Sequence, residues 1–355
     1  MKSSPSNADR VGRDDQIASV LNLRLEDGIS RGVRAALLRN GGGIEALVVT
    51  DRALDIAQLS FRGESLVWHG PGGIAPAHPG TQNDDEFARS FFGGLVTTCG
   101  LDAFGPSGSD AFGSWGTHGH INHCAAQDVK VRCEIDAADG YVEIRGTVVQ
   151  ARMMGESLRL ERTWRSRIGS TQLHLHDRVT NLGGERYPHM LLYHCNAGYP
   201  LLDEHTEVLV SHAAIAPRDD QAAMGLQLWN RGDAPTPGFR EQVFIHEPTC
   251  DGGGWAVAAV VNRRLRDGMG FAVYYKPAQL PALFSWRMLG VKTYVMAVEP
   301  ANCPTIEGRI AAHERGTLPF LEPGEMREYE LGFEMLEGRA AIDRVAALCA
   351  PLPAA

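Results

Sequence analysis

The chain predicts an all-β fold: one large antiparallel β-sandwich with few short helices. Three observations carry this. Short runs in which apolar and polar residues alternate recur between residues 32 and 335, each closed by glycine, proline or aspartate, as half-buried antiparallel strands require. Stretches with helical periodicity are scarce, and no strand pattern alternates with a helix pattern as a doubly wound parallel sheet would need. The runs are spaced much as strands are in sandwiches and barrels.

In chain order, strands are predicted at "GVRAALLRN" (32–40), "IEALVVT" (44–50) and "LDIAQLSF" (54–61). The proline- and glycine-rich "WHGPGGIAPAHPGTQND" (68–84) reads as a long surface loop of the kind that carries function, followed by a short helical turn at "DDEFARSFF" (84–92). "VKVRCEIDAADGYVEIRGTVVQ" (129–150) gives two strands around "ADG", and "SLRLERTWRSRIGSTQLHLHDRVTN" (157–181) gives two more around "IGS", a four-strand meander. Further strands are predicted at "MLLYHC" (190–195), "TEVLVSH" (206–212), "WAVAAVVN" (255–262), "GFAVYYK" (270–276), "ALFSWRML" (282–289), "TYVMAVE" (293–299) and "EYELGFEM" (328–335). The clearest helix is "GRAAIDRVAALCA" (338–350), whose alanines, leucines and arginines favour that state.

With 355 residues, 44% of them hydrophobic, and no fixed-period repeat or proline- or serine-rich linker, residues 21–355 are expected to form a single domain behind a loose polar tail over 1–20. That tail has no apolar core of a secretory signal, and no run of about 18 apolar residues suggests a membrane span. Thirty-four basic against 43 acidic side chains give a net charge of −9 without a basic cluster, which argues against a nucleic-acid partner. Seven scattered cysteines without a CxxC pair fit reduced thiols in a cytoplasmic protein. A homodimer is left open.

Five stretches carry candidate chemistry. "GTHGHINH" (116–123) packs three histidines into eight residues. In an extended strand His118 and His120 share a face and His123 points away, so a metal site, a ligand-binding site and a loop held by backbone hydrogen bonds are all open readings. The glycine after His118 leaves backbone bare beside an imidazole, room that a ligand can use. "PHMLLYHCNAGYP" (188–200) delivers His194 and Asn196 onto one strand face, a pair suited to a polyol, though a core histidine bonded to backbone fits too; His189, at the start of that strand, is a weaker candidate. "TYVMAVEPANCP" (293–304) ends a strand at Glu299 with Pro300 behind it, where the chain cannot go on pairing. Arg52 and Asp55 suit an ion pair, and "FFGGLVTTCGLDAFGP" (91–106) reads as a backbone-rich turn close to something bound.

Together "DRALDIAQLSFRGESLVW", "GGLVTTCGLD", "THGHINH", "LERTWRS", "LYHCNAGYP" and "VEPANCP" resemble the DUF4432 branch of the aldose 1-epimerase, or galactose mutarotase-like, superfamily over about residues 25–335. The resemblance implies a sugar or sugar acid bound across a concave sheet face and anomer exchange by ring opening, with no metal or organic cofactor. It implies Glu299 as base, His194 as acid, His118 as a second histidine near the ring, and Arg52 as an anchor for a hydroxyl or carboxylate. Asn196, Asp102 and His120 join the substrate-binding set; His120 has a structural role as its alternative, as does His123. Asp177 and Asp203 are open alternatives to Asp102. Trp286 suits an aromatic platform and Arg287 a second anchor, although Trp286 fits a core position equally. The "PANCP" turn departs from the mutarotase pattern. A metal-dependent isomerase acting at another carbon and a non-catalytic carbohydrate-binding protein are the competing readings.

Overall fold

A computed structural model describes residues 10–78, 84–135 and 139–350. Antiparallel pairing dominates, as the alternating runs predict. The largest sheet has eight strands in the spatial order Thr206–Val210, Ala256–Asn262, Met269–Tyr275, Met326–Glu337, Gln172–Asn181, Ser157–Arg167, Tyr141–Ala151 and Ala126–Glu134. Its last four members form the expected meander; the first turn of that meander lies partly outside the described residues. Strict alternation of buried and partly or fully exposed positions along Ser157–Arg167 shows a sheet with one face in the core and one toward solvent.

A six-stranded sheet packs against it, in the order His212–Pro217, Gln242–Pro248, Ala282–Gly290, Thr293–Ala301, Leu192–Ala197 and Thr97–Cys99. Its strand Leu192–Ala197 and, from Val295 on, its strand Thr293–Ala301 are buried on both faces, because loops cover the side turned away from the sandwich core. A smaller five-stranded sheet opens with Ser19–Arg24, paired to Arg34–Arg39; that strand begins inside the stretch read as tail. Leu38, Val48 and Ile56 of this sheet share one apolar core with Leu160, Trp164 and Phe333 of the eight-stranded sheet and Cys195 and Val298 of the six-stranded one. The expected helices occur at Asp84–Ser90 and Arg339–Leu348.

Beneath the six-stranded sheet runs a buried charge network. Arg162 donates to both oxygens of Asp177 at 2.9 and 2.6 Å and to Asp55 at 2.6 Å, and all three side chains are fully buried. Thr98 donates to Asp55 through its hydroxyl and its backbone N–H, and the Tyr193 hydroxyl donates to Asp177. Asp55 therefore pairs with Arg162 and not with Arg52, and Asp177, fully buried, is bound within the core to Arg162 and Tyr193.

Candidate active site

The strands Leu192–Ala197 and Thr293–Ala301 are neighbours in a register that sets Cys195 against Val298 and Asn196 against Ala297. One step further along, His194 faces Glu299 on the loop-covered side. On the next strand Phe284 lies opposite Glu299, and Trp286 lies two residues on, on the same face. His194, Glu299 and Trp286 floor a cleft of about 820 Å³, the size of a small-molecule site. Its apolar walls include Trp68, Phe87, Phe91 and Trp286, and His118 closes one side. The expected functional loop contributes through Trp68 and Pro71, and the helix after it through Asp84, Phe87 and Ala88.

His194 Nε2 lies 3.3 Å from Glu299 Oε1, and the two residues are 5% and 3% exposed. Burial, helped by the charge of Glu241 and opposed by Arg218, pushes the Glu299 carboxyl up to about 8. Burial and the neighbouring His118 hold His194 well below its ordinary value, an effect that Asn196 opposes. Desolvation disfavours the charged form of both partners, so at neutral pH the carboxyl keeps its proton and the imidazole stays neutral. The rings of Phe91, His118 and Trp286 stand edge-on to His194, with centroids 5.1, 5.8 and 5.3 Å away.

His118 sits in the left-handed region at φ +61°. Its Nδ1 accepts from the Gly105 N–H at 3.4 Å, which leaves the proton of the neutral ring on Nε2. Burial, opposed by Glu241, lowers its pKa to about 4. Gly119, at φ +77°, is what allows this turn: a Cβ there would meet the Ala103 and Gly100 carbonyl oxygens at 2.4 Å. Gly119→Ala is expected to destabilise the fold by more than about 1 kcal/mol and to displace His118, visible as a lower denaturant midpoint and an altered His118 ring resonance; an unchanged midpoint would contradict this.

The cleft brings together Glu299, His194, His118 and Trp286, and leaves out the other residues singled out from the sequence. Arg52, fully buried, donates to the backbone carbonyls of Asn122, Ala75 and Ser90 and pins three separate segments behind the site. Arg287 points to the opposite face of its strand from Trp286, where it donates to Gln242 and to the carbonyls of Leu228 and Arg231. Asp102 accepts from Gln150 at 2.6 Å and from Arg309 at 2.7 Å. His120 turns to the Ser114 carbonyl, and His123 to Ser90. His189 is bonded at both nitrogens, to the Leu101 carbonyl and the Tyr329 hydroxyl. Asp203 accepts the His205 N–H within a turn. Asn196 donates to the carbonyls of Gly94 and His194 and does not line the cleft.

The guanidinium at the cleft belongs instead to Arg218, which donates to Asp219 at 2.8 Å and Glu241 at 3.0 Å. Glu241 also accepts from the Trp286 indole N–H at 2.9 Å, holding that ring upright. Asp84 accepts from the Thr117 hydroxyl and ties the helix to the histidine loop. Neither Arg218 nor Glu241 carries a local motif. Among the described residues no three His, Cys, Asp or Glu side chains converge as a metal-binding group.

No curated protein sequence matches the chain significantly, but solved structures do. A candidate aldose 1-epimerase from Klebsiella pneumoniae superposes with a TM-score of 0.85 at 23% identity, over 96% of this chain and 92% of that one. A galactose mutarotase-like protein from Clostridium acetobutylicum gives 0.61 at 13% identity, over 91% and 99%. Galactose 1-epimerase from Lactobacillus acidophilus gives 0.56 at 13% identity, over 91% and 100%. At these identities the likeness establishes a common fold. Residues 30–335 match the family described as a domain of unknown function, DUF4432, and the chain belongs to that family.

Proposed function

We propose that this protein is a mutarotase-like isomerase that exchanges the anomers of a free sugar through ring opening. One observation carries the reading: His194 Nε2 and Glu299 Oε1 stand 3.3 Å apart on the floor of an aromatic-walled cleft. The hydroxyl and the ring oxygen of a cyclic sugar hang from the same carbon. Opening the ring takes a proton from the first and gives one to the second, so its catalyst needs an acceptor and a donor that are close neighbours.

The buried pair holds one proton and one lone pair, which is the inventory this reaction uses. From the resting arrangement His194 accepts the anomeric hydroxyl proton while Glu299 donates to the ring oxygen, and the bond from that oxygen to the anomeric carbon breaks. An aldehyde remains beside an imidazolium and a carboxylate, which attract one another across the short gap. After rotation about the adjacent carbon–carbon bond, the open-chain hydroxyl returns its proton to Glu299, His194 protonates the carbonyl oxygen, and the ring closes on the other face. With the proton first on His194 the two roles exchange, which is the assignment the family resemblance implies. His118 Nε2 supplies a further donor to the sugar.

The charges at the cleft favour a neutral sugar over a sugar acid. Asp84, Asp219, Glu241 and Glu307 line it against Arg218, which is already paired with Asp219 and Glu241. The three histidines of residues 116–123 point three ways, so a metal-dependent isomerase finds no donor set in the loop. The test is polarimetry of freshly dissolved single anomers of pentoses, hexoses, deoxy sugars and uronic acids. Accelerated mutarotation of at least one neutral aldose, with uronic acids slower, is expected. No acceleration across the panel, or a preference for uronic acids, would contradict the proposal.

A further inference from the structure

We infer that Asn196 is a positioning residue for His194: its side-chain oxygen accepts the Nδ1 proton of the ring and so leaves Nε2 as the lone-pair end that meets Glu299. The geometry starts with the amide. Asn196 Nδ2 lies between two carbonyl oxygens, Gly94 O at 3.2 Å and His194 O at 2.9 Å. Only the NH₂ end of an amide can donate there, so the flip is fixed and Oδ1 is the remaining end. Asn196 is fully buried, and its Oδ1 and His194 Nδ1 are both buried polar atoms without a hydrogen-bond partner, an acceptor and a ring nitrogen that can satisfy each other. An amide oxygen can only accept, and a neutral imidazole must carry its proton on one of two nitrogens. The two residues lie two apart in a strand and share a face, and the Asn196 side chain favours the charged form of the His194 ring, as an acceptor does.

The consequence concerns the pair. With the proton on Nδ1, neutral His194 presents a base to Glu299 and to substrate across 3.3 Å; with the proton on Nε2, that nitrogen could only donate and would offer no lone pair. The other groups facing the ring are His118 from the loop, Phe91 and Trp286, while Glu241 and Arg218 act on Glu299. The Cys99 and Cys195 thiols, on the adjoining and the same strand respectively, are kept neutral by burial. None of these offers Nδ1 an acceptor. The role in turnover rests on the proposed anomer exchange, whereas the tautomer does not.

The experiment is a long-range ¹⁵N–¹H correlation spectrum of the histidine rings in the full chain, with His194→Asn used to assign the His194 signals. Wild type is expected to show His194 with Nδ1 protonated, and Asn196→Ala to lose that tautomer. An Nε2-protonated His194 in wild type, or an unchanged tautomer in Asn196→Ala, would overturn the inference; the wild-type spectrum decides even if the alanine variant does not fold. Asn196→Asp keeps the acceptor and adds a charge. It is expected to move the acidic limb of the pH–rate profile up by about one unit or more, the size of shift that a nearby carboxylate gives an imidazole. A merely structural role would leave that limb in place, and its persistence would overturn the inference. If no sugar is turned over, the proposed function fails while the spectrum still decides the tautomer.

Discussion

Replacing Arg162 by methionine is expected to lower the unfolding free energy by about 3–5 kcal/mol, the range for removing one partner of a buried ion pair. Arg162 is fully buried and is the cation that the buried Asp55 and Asp177 carboxylates contact directly. Without it, two carboxylates remain in a low-dielectric core and must either take up protons or drag water inward. Burial already raises Asp55, and Arg162 is the main opposing influence. The loss would extend to the cleft. Tyr193, anchored on Asp177 at 2.8 Å, is the residue before His194 and points to the opposite face, so the network sets the height of the strand that carries His194. Denaturant unfolding at neutral pH checks the magnitude; a change below about 1 kcal/mol would show that the network adds little.

Glu299→Gln is expected to slow anomer exchange by 10²–10⁴-fold, the usual weight of one general acid or base, and to leave the fold standing because the amide matches the carboxyl in shape. Its stability effect has a defined sign. The folded carboxyl stays protonated up to about 8 against an ordinary value of 4.5, so the native state holds a proton that the unfolded chain has lost. Stability from this group is full below about pH 4.5 and falls as pH rises toward 8. The glutamine variant lacks that decline, and its stability relative to wild type is expected to improve from pH 5 to pH 9. The buried histidines act in the other direction. Burial holds His118 and His189 near 4 and His123 and His246 near 3, so stability is lost as pH falls below the ordinary 6.5. Denaturation midpoints of both proteins at pH 5, 7 and 9 check the two slopes; parallel behaviour of wild type and variant would contradict the raised carboxyl.

What the sequence made legible follows from how much of each strand meets water. Ser157–Arg167 and Gln172–Asn181 have one wet face, so alternation announces them. Gln242–Pro248 was not foreseen: buried residues follow one another at Gln242, Val243 and Phe244, and alternation disappears. "TEVLVSH" reads as one strand, yet the chain changes sheets at Ser211, whose hydroxyl bonds the Thr249 and Val257 carbonyls. Thr206–Val210 joins the eight-stranded sheet and His212–Pro217 the six-stranded one. Arg218 and Glu241 flank these two unforeseen strands, which is why the polar wall of the cleft was missed. His194 and Glu299 were accessible because face parity and a strand end are local properties. Arg52, Arg287 and Asp102 show the limit of such reasoning: a buried arginine that clamps carbonyls and an arginine that grips a ligand look alike until the fold places them.

The central claim is that the His194–Glu299 pair moves the protons of anomer exchange. Its most direct test is saturation transfer between the α- and β-anomer resonances of a sugar that wild type accelerates, recorded on wild type, Glu299→Gln and His194→Asn at equal concentrations of folded protein. The account predicts enzyme-dependent transfer in wild type and its loss in both variants. Equal transfer in all three proteins, or none above buffer in wild type for any sugar, would contradict it.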